Sequence, residues 1–170
     1  MAKNQLQSST PQSIGIDVSK DTLMICQKYD LKDKVIFKIK NKKSEIRKIA
    51  KELKRENYQG KIIIESTGRY HLLAALEMSR YNLDVRVINP LITNKYIRSS
   101  IRKVKSDKRD SEVLASIAIK EENLPQKFDG DQNTIIIKKK VSLIANLDKE
   151  LQRLTASANE FKRTFKELGV

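Results

Sequence analysis

Four carboxylates stand where the surrounding sequence would direct them towards one site. Asp17 interrupts the apolar start of a strand, and Glu65 ends the apolar run that begins at Lys61. Asp107 and Asp110 are three residues apart, so both lie on one face of a helix that begins there. Hard cations prefer oxygen ligands, and two such ions about 3.5–4 Å apart can bind the attacking and leaving oxygens of a phosphate. The acids therefore predict a site for Mg²⁺ or Mn²⁺ that performs phosphodiester chemistry.

Positive charge is concentrated next to two of these acids. The chain has 35 Lys and Arg against 21 Asp and Glu, a net charge of +14, which favours polyanionic partners such as nucleic acid. Residues 95–109 contain seven basic residues and one acid. A Lys-rich solvated surface is the alternative interpretation. The residues predicted to contact nucleic-acid phosphates are Arg98, Arg102, Lys103, Lys105 and Arg109.

Cysteine content and hydropathy exclude several classes of protein. Cys26 is the single cysteine, so neither an intrachain disulfide nor a thiolate zinc cluster can form. No apolar run approaches the roughly 18 residues of a membrane span, and residues 1–12 lack the apolar core of a signal peptide. We expect a cytoplasmic bacterial protein that has no membrane contact and is associated with the nucleoid when bound to DNA.

Elements of regular structure alternate in an order that indicates an α/β domain. Three strands in succession predict an antiparallel meander, and the later alternation of strands and helices predicts parallel pairing. This is the order of the ribonuclease H-like fold, with a mixed five-stranded sheet. The predicted strands are residues 14–18, 22–27, 35–39, 61–65 and 83–88, and the predicted helices are residues 44–57, 70–81 and 107–120.

Polar residues between these elements predict caps and loops. Ser44 is the expected N-cap of the first helix, and Ser66 or Thr67 is expected to cap the second. Residues 94–106 are polar and basic, and we expect a helix followed by a mobile loop that contacts substrate.

Heptad spacing replaces this pattern in the last part of the chain. Apolar residues recur from Ile137 to Leu168 at two heptad positions, with Lys140 as one polar interruption. Such a pattern favours a long coiled-coil helix and a homo-oligomer formed through residues 137–168, whereas folding back onto the same domain is the alternative. The expected organisation is a disordered lead-in at 1–12, a catalytic domain at 13–122, a linker at 123–133 and a helical segment at 134–170.

Four motifs resemble the amino-terminal domain of the insertion-sequence 110 family (DEDD) transposases, which include the Piv-type DNA invertases. The motifs are Gly15-Ile-Asp17-Val-Ser-Lys, Glu65-Ser-Thr-Gly-Arg-Tyr-His71, Val87-Ile-Asn-Pro90 and Lys105-Ser-Asp107-Lys-Arg-Asp110. The resemblance implies a RuvC-like domain whose four acids bind divalent metal, which places those roles on Asp17, Glu65, Asp107 and Asp110. It also implies a carboxy-terminal domain that supplies a serine nucleophile, and a guide RNA encoded by the element. No segment of this sequence resembles that second domain, so we expect the chain to be inactive alone.

Other functions remain compatible with the residues. A stand-alone RuvC-like junction nuclease would use the same acids, whereas a non-catalytic nucleic-acid binding and dimerisation module would need only the charge and the heptads. An actin-like ATPase would need a glycine where Ser19 stands and a second phosphate loop that the sequence lacks. His71, Tyr70 and Tyr96 are expected to pack in the structure rather than to contact substrate.

Overall fold

A mixed five-stranded sheet forms the centre of the first of two compact units, which divide between Gly130 and Asp131. The computed structural model describes residues 10–30, 32–66, 68–99 and 106–169. The sheet order is β3-β2-β1-β4-β5. β2 is antiparallel to β1 and β3, whereas β4 is parallel to β1 and β5. The strands are β1 (Ser13–Val18), β2 (Thr22–Lys28), β3 (Lys34–Lys40), β4 (Lys61–Glu65) and β5 (Asp84–Ile88).

Helices cover both faces of this sheet, as the ribonuclease H-like prediction requires. Because strand side chains alternate between faces, β4 contributes to an apolar cluster on each face of the sheet, whereas the apolar residues of β1 lie in one of them. Ile14, Ile16 and Ile62 lie in the cluster beneath α1 and α2, and Ile63 packs with Leu114 of α4 on the opposite face. The helices of this unit are α1 (Lys43–Arg55), α2 (His71–Ser79), α3 (Pro90–Ser99) and α4 (Asp107–Lys120).

Both predicted serine caps are wrong where the structure tests them. The α1 helix already includes Ser44, and its N-cap is Lys42, an extended residue whose side chain makes no capping bond. The N-cap of α2 is Tyr70, again without a side-chain bond, and the backbone N–H of Ser66 instead donates to Ile88 O at 2.9 Å. Thr67 lies outside the described residues. Burial of Ile46, Ala50 and Leu53, and not a cap, therefore fixes α1 on the sheet.

The segment between α4 and the second unit, residues 121–130, runs along β5 and is called the strap here. Phe128 N donates to Val85 O at 2.7 Å, and the Arg86 guanidinium donates to Pro125 O at 3.1 Å. Leu124 and Phe128 pack against the two apolar clusters, one on each face of the sheet. The strap has no regular secondary structure, yet its backbone and side chains both contact the rest of the first unit.

The second unit is one long helix, α5 (Gln132–Leu168). Its heptad residues are exposed within the single chain, with exposed fractions of 58% for Ile144, 64% for Leu151 and 63% for Phe161. The predicted long carboxy-terminal helix is confirmed. No helix in the described part of the chain is long and apolar enough to cross a membrane.

Candidate metal centre

Strand β1 directs Asp17 towards α4. Residues 13, 15 and 17 share one face of the strand because side chains alternate. The Ser13 hydroxyl donates to Ala115 O in α4 at 2.8 Å. A side chain at Gly15 would meet the backbone of Ser111 and Ala115, so the strand and the helix touch directly at this glycine. Asp17 is the next residue on the same face.

The direction of α4 brings its first turn to the level of Asp17. Ser13 lies opposite Ala115 and Gly15 lies against Ser111, so α4 runs opposite to β1. Two strand residues advance about 6.7 Å and one helical turn about 5.4 Å, so each step along β1 matches about one turn of α4. One further step reaches Asp17 on the strand and the turn of Asp107 and Asp110 on the helix.

Glu65 reaches the same edge of the sheet through β4. The parallel pairing of β1 and β4 ends with Ile16 opposite Ile64, so Asp17 and Glu65 are the next residues in this register. Ile63 packs on the α4 face, and Glu65, two residues later, lies on that face as well. Three separate elements thus bring four acids to the carboxyl ends of adjacent parallel strands.

The pKa of Asp17 reports this concentration of negative charge. The pKa of its carboxyl is raised to about 6 from the ordinary 3.8, first by burial and then by the charges of Asp107, Asp110 and Glu65 in that order. A hydrogen bond from the Val18 backbone N–H acts in the opposite direction. Asp17 and Glu65 are half-buried, as is Asp110, whereas Asp107 is exposed at the helix start.

The chemistry of the donors fits a hard divalent cation, because all four are carboxylates. Across residues 10–30, 32–66, 68–99 and 106–169, no three His, Cys, Asp or Glu side chains form a group already arranged around a metal ion. Electrostatic interaction between charges acts over longer distances than metal coordination, so the acids influence Asp17 without forming a coordination sphere. The assignment of a metal to these acids therefore stays a prediction.

The start of α4 is fixed by Ser106. Its hydroxyl accepts a hydrogen bond from Arg109 N at 3.3 Å, and its carbonyl accepts from Arg109 N and Asp110 N, each at 2.9 Å. This cap sets where the helix begins and so sets the positions of Asp107 and Asp110. Arg109, in the same turn, is half-buried. Arg102, Lys103 and Lys105 lie outside the described residues, as does the side chain of Arg98, whose backbone belongs to α3.

Sequence reasoning missed the residues that hold β1 against α4. Ser13 and Ser111 are fully buried, and a glycine within an apolar strand was the available signal for a close helix contact at Gly15. Tyr70 and Tyr96 pack against the apolar clusters, as expected. His71 is buried at the first residue of α2, 7% exposed.

Comparison with known proteins identifies the family of the chain. The family model of the insertion-sequence 110 type DEDD transposases, described as a transposase, matches residues 14–165. No curated protein matches the chain. The matched region includes all four acids, the strap and most of α5.

Proposed function

The chain belongs to the insertion-sequence 110 family of DEDD transposases, and we propose that its first unit is the metal-binding catalytic domain of this DNA-acting enzyme. One observation carries the proposal. A neighbouring strand and a packed helix bring three other acids to the sheet edge of Asp17, and their charges raise the pKa of its carboxyl. A gathering of like charges at a sheet edge destabilises a fold, and a bound cation relieves that repulsion.

In this proposal Asp17, Glu65, Asp107 and Asp110 hold Mg²⁺ or Mn²⁺. The cation, when bound, supplies charge stabilisation for the attacked phosphate and its leaving oxygen. The two strands hold Asp17 and Glu65 in rigid sheet register, and the Ser106 cap holds the other two at the helix start. With a pKa of about 6, Asp17 is mostly ionised at neutral pH and is then able to act as a ligand. Arg109 is adjacent to Asp110 and supplies positive charge for a DNA phosphate.

Strand transfer needs a nucleophile, and we propose that a serine on a separate carboxy-terminal domain provides it. Recombination would then combine the metal centre of this unit with that serine, guided by an RNA encoded by the element. The resemblance of the four motifs supports these two parts of the proposal.

We also propose that α5 associates with a second copy of itself. Its apolar residues follow heptad spacing over residues 137–168, and they are exposed in the isolated chain. Exposed Leu, Ile and Phe at two positions of successive heptads are what a coiled-coil seam buries. Analytical ultracentrifugation should detect a dimer or larger oligomer, and Leu151→Glu should shift it to monomer. A monomer at all concentrations for the unmodified chain would contradict the proposal.

Manganese titration in the presence of a DNA duplex tests the metal centre. We expect unmodified protein to bind Mn²⁺, and Asp17→Asn and Asp107→Asn to weaken binding by at least tenfold. Asp148→Asn on exposed α5 is the matched control, because it removes the same charge far along the chain from the four acids. Equal Mn²⁺ binding by Asp17→Asn and Asp148→Asn would refute the metal centre and favour a non-catalytic binding module.

Activity assays separate the transposase from a stand-alone nuclease. A protein that also carries the serine-bearing domain should lose strand transfer on Asp17→Asn. The chain alone should leave a four-way DNA junction intact in Mg²⁺. Cleavage of the junction by this chain would favour a junction nuclease instead.

A further inference from the structure

The outward side of α1 carries three cations that are not part of the candidate metal centre. Lys48, Lys51 and Arg55 follow one another at spacings of three and four residues, so they form one row along the helix. This row lies opposite the buried side of α1, which contacts the sheet through Ile46 and Leu53. Together with Glu52, the three cations line a shallow concavity of about 340 Å³. We call Lys48, Lys51 and Arg55 the α1 cation row.

Cations of the row are available to bind an anion without loss of tertiary contacts. Lys48 pairs with Glu45 at 3.1 Å and Arg55 with Glu52 at 3.9 Å, and both cations are more than 70% exposed. Such exposed pairs between neighbouring turns of one helix are weak and are screened by salt. Lys51 makes no ion pair with any residue that the structure describes. The cations that attach α1 to α2 are different residues, because they converge on the buried carboxylate of Glu77.

The position of α1 relates the row to the metal centre. α1 begins just after β3, where Asn41 Nδ2 donates to Ser19 O at 3.0 Å and to Tyr70 O at 3.3 Å. Ser19 follows β1 directly, so α1 starts at the edge of the sheet that carries Asp17 and runs away from it. The row itself faces outward on the α1 side of the sheet, opposite the α4 side that carries the acids, so a nucleic acid that contacts both must pass around this edge.

The length of the row matches the spacing of phosphates. Lys48 and Arg55 are seven residues apart, which corresponds to about 10.5 Å along the helix axis. One strand of a DNA duplex carries a phosphate about every 3.4 Å of axis, so about three phosphates face the row. Long cationic side chains bind phosphates without reading base edges.

We propose that the α1 cation row binds the phosphate backbone of duplex DNA, as a sequence-independent contact outside the metal centre. The proposal rests on the proposed function in that DNA is the substrate of the first unit. The row then holds DNA on the α1 side of the first unit, whereas the four acids lie at the sheet edge on the α4 side. It should contribute affinity and salt dependence but no sequence preference.

Salt-dependent DNA binding tests the row. Lys48→Gln, Lys51→Gln and Arg55→Gln are combined in one chain, because glutamine keeps length and helix propensity while removing the charge. Binding to a 20-base-pair DNA duplex is measured by fluorescence anisotropy in EDTA between 50 and 200 mM salt. Removal of three contacts should reduce the slope of log affinity against log salt by about 2.7, so unmodified protein should lose about 40-fold more affinity across this range than the variant.

Two control proteins make the result specific to the row. Lys149→Gln, Lys162→Gln and Lys166→Gln, combined on α5, remove the same total charge and should change the slope by less than one. Lys48→Arg, Lys51→Arg and Arg55→Lys, combined, keep the charge and should bind as the unmodified protein does. Circular dichroism spectra should coincide for all four proteins.

Several outcomes would overturn the proposal. Equal effects of the α1 and α5 triple variants would show that overall charge determines binding, and an unchanged slope for the α1 variant would exclude contact. If the α1 triple variant lost affinity for an RNA duplex of the same length but not for the DNA duplex, the assignment of the row to DNA would be refuted. EDTA removes divalent metal, so the outcome does not depend on whether Asp17→Asn abolishes Mn²⁺ binding, and the two proposals fail separately.

Discussion

Gly15 is the residue whose replacement should most directly separate β1 from α4. A Cβ at this position would lie 2.8 Å from Leu114 Cβ and far inside van der Waals contact with Ser111 O and Ala115 N. The two closest atoms are backbone, so side-chain rotation cannot relieve the overlap. To restore ordinary contact α4 must move outward by about 1 Å, which loosens the packing of Leu114 and its neighbours.

The expected cost of Gly15→Ala has two parts. Overpacking of a well-packed interface costs about 1–3 kcal/mol, and a clash with backbone belongs at the upper end. Displacement of α4 also breaks the buried bond from the Ser13 hydroxyl to Ala115 O, which contributes about 1 kcal/mol. We therefore expect the free energy of unfolding to fall by about 3–4 kcal/mol, together with weaker Mn²⁺ binding because Asp107 and Asp110 move away from Asp17.

Urea unfolding followed by circular dichroism measures this cost. Gly68→Ala is the matched control, because a Cβ there meets nothing within 4 Å and only the positive φ of 52° opposes it, at about 1 kcal/mol. Combining Leu114→Ala with Gly15→Ala should not restore stability, since the backbone contacts persist. If Gly15→Ala destabilises no more than Gly68→Ala, the direct contact of β1 with α4 does not position the acids.

Three further predictions concern Asp17, Glu77 and Ser106. The raised pKa of Asp17 means that the folded protein keeps a proton that the unfolded chain releases, so stability should fall as pH rises from about 4 to about 6 and then level off. Solvent screening limits this loss to about 1–2 kcal/mol, and Asp17→Asn should remove it in urea unfolding at pH 4 and pH 7. Glu77→Gln should cost about 1–3 kcal/mol in urea unfolding, because a carboxylate only 3% exposed accepts from Arg47 at 2.6 Å and from Arg80 at 2.9 Å. Ser106→Ala should cost about 1 kcal/mol and accelerate hydrogen exchange of the first amides of α4.

Each of these predictions has a result that contradicts it. A pH dependence shared equally by Asp17→Asn and the unmodified protein would mean that another group is responsible. Glu45→Gln, which removes only an exposed pair with Lys48, should cost under about 1 kcal/mol, and an equal effect of Glu77→Gln would deny the importance of burial. Unchanged exchange rates in Ser106→Ala would show that packing alone determines where α4 begins.

Periodicity predicted the sheet well because apolar residues mark all five strands, including the partly exposed edge strand β3. Each observed strand lies within about one residue of its prediction, and α4 has the predicted bounds of Asp107 and Lys120. Alternating or continuous apolar residues are a local signal, so a single sequence contains it. The strand order also follows from simple rules, since a meander is followed by right-handed parallel crossovers.

Helix ends were predicted less well where tertiary contacts compete with local signals. α2 ends at Ser79, two residues before the predicted end, because the chain turns there and Asn82 adopts a positive φ of 60°. α3 begins at Pro90, four residues before the helix expected from residue 94. Proline at the first helical position was the missed signal, and Asn89 Oδ1 accepts a hydrogen bond from Leu91 N at 2.9 Å beside it.

The metal-centre acids were identifiable from the sequence, but their supporting contacts were not. Asp17 and Glu65 stand out as charges in apolar runs, whereas the burial of Ser13 and Ser111 depends on which helix crosses which strand. The roles of the four acids in metal binding stay a prediction that the Mn²⁺ titration tests. The composition of residues 123–133 predicted a linker; the strap is irregular, but α5 already begins at Gln132, and composition did not reveal that Phe128 returns to the sheet.

The strap also affects whether the sheets of two protein molecules can pair edge to edge. Edge strands invite pairing with the sheets of other molecules, which leads to aggregation. At β5 the strap occupies the open hydrogen-bonding side near Val85, whereas β3 at the other edge exposes Lys34, Lys38 and Lys40. One edge is thus covered by chain and the other is protected by charge. A variant shortened before Leu124 would therefore become prone to aggregation through β5, although it would still contain all four acids of the candidate metal centre.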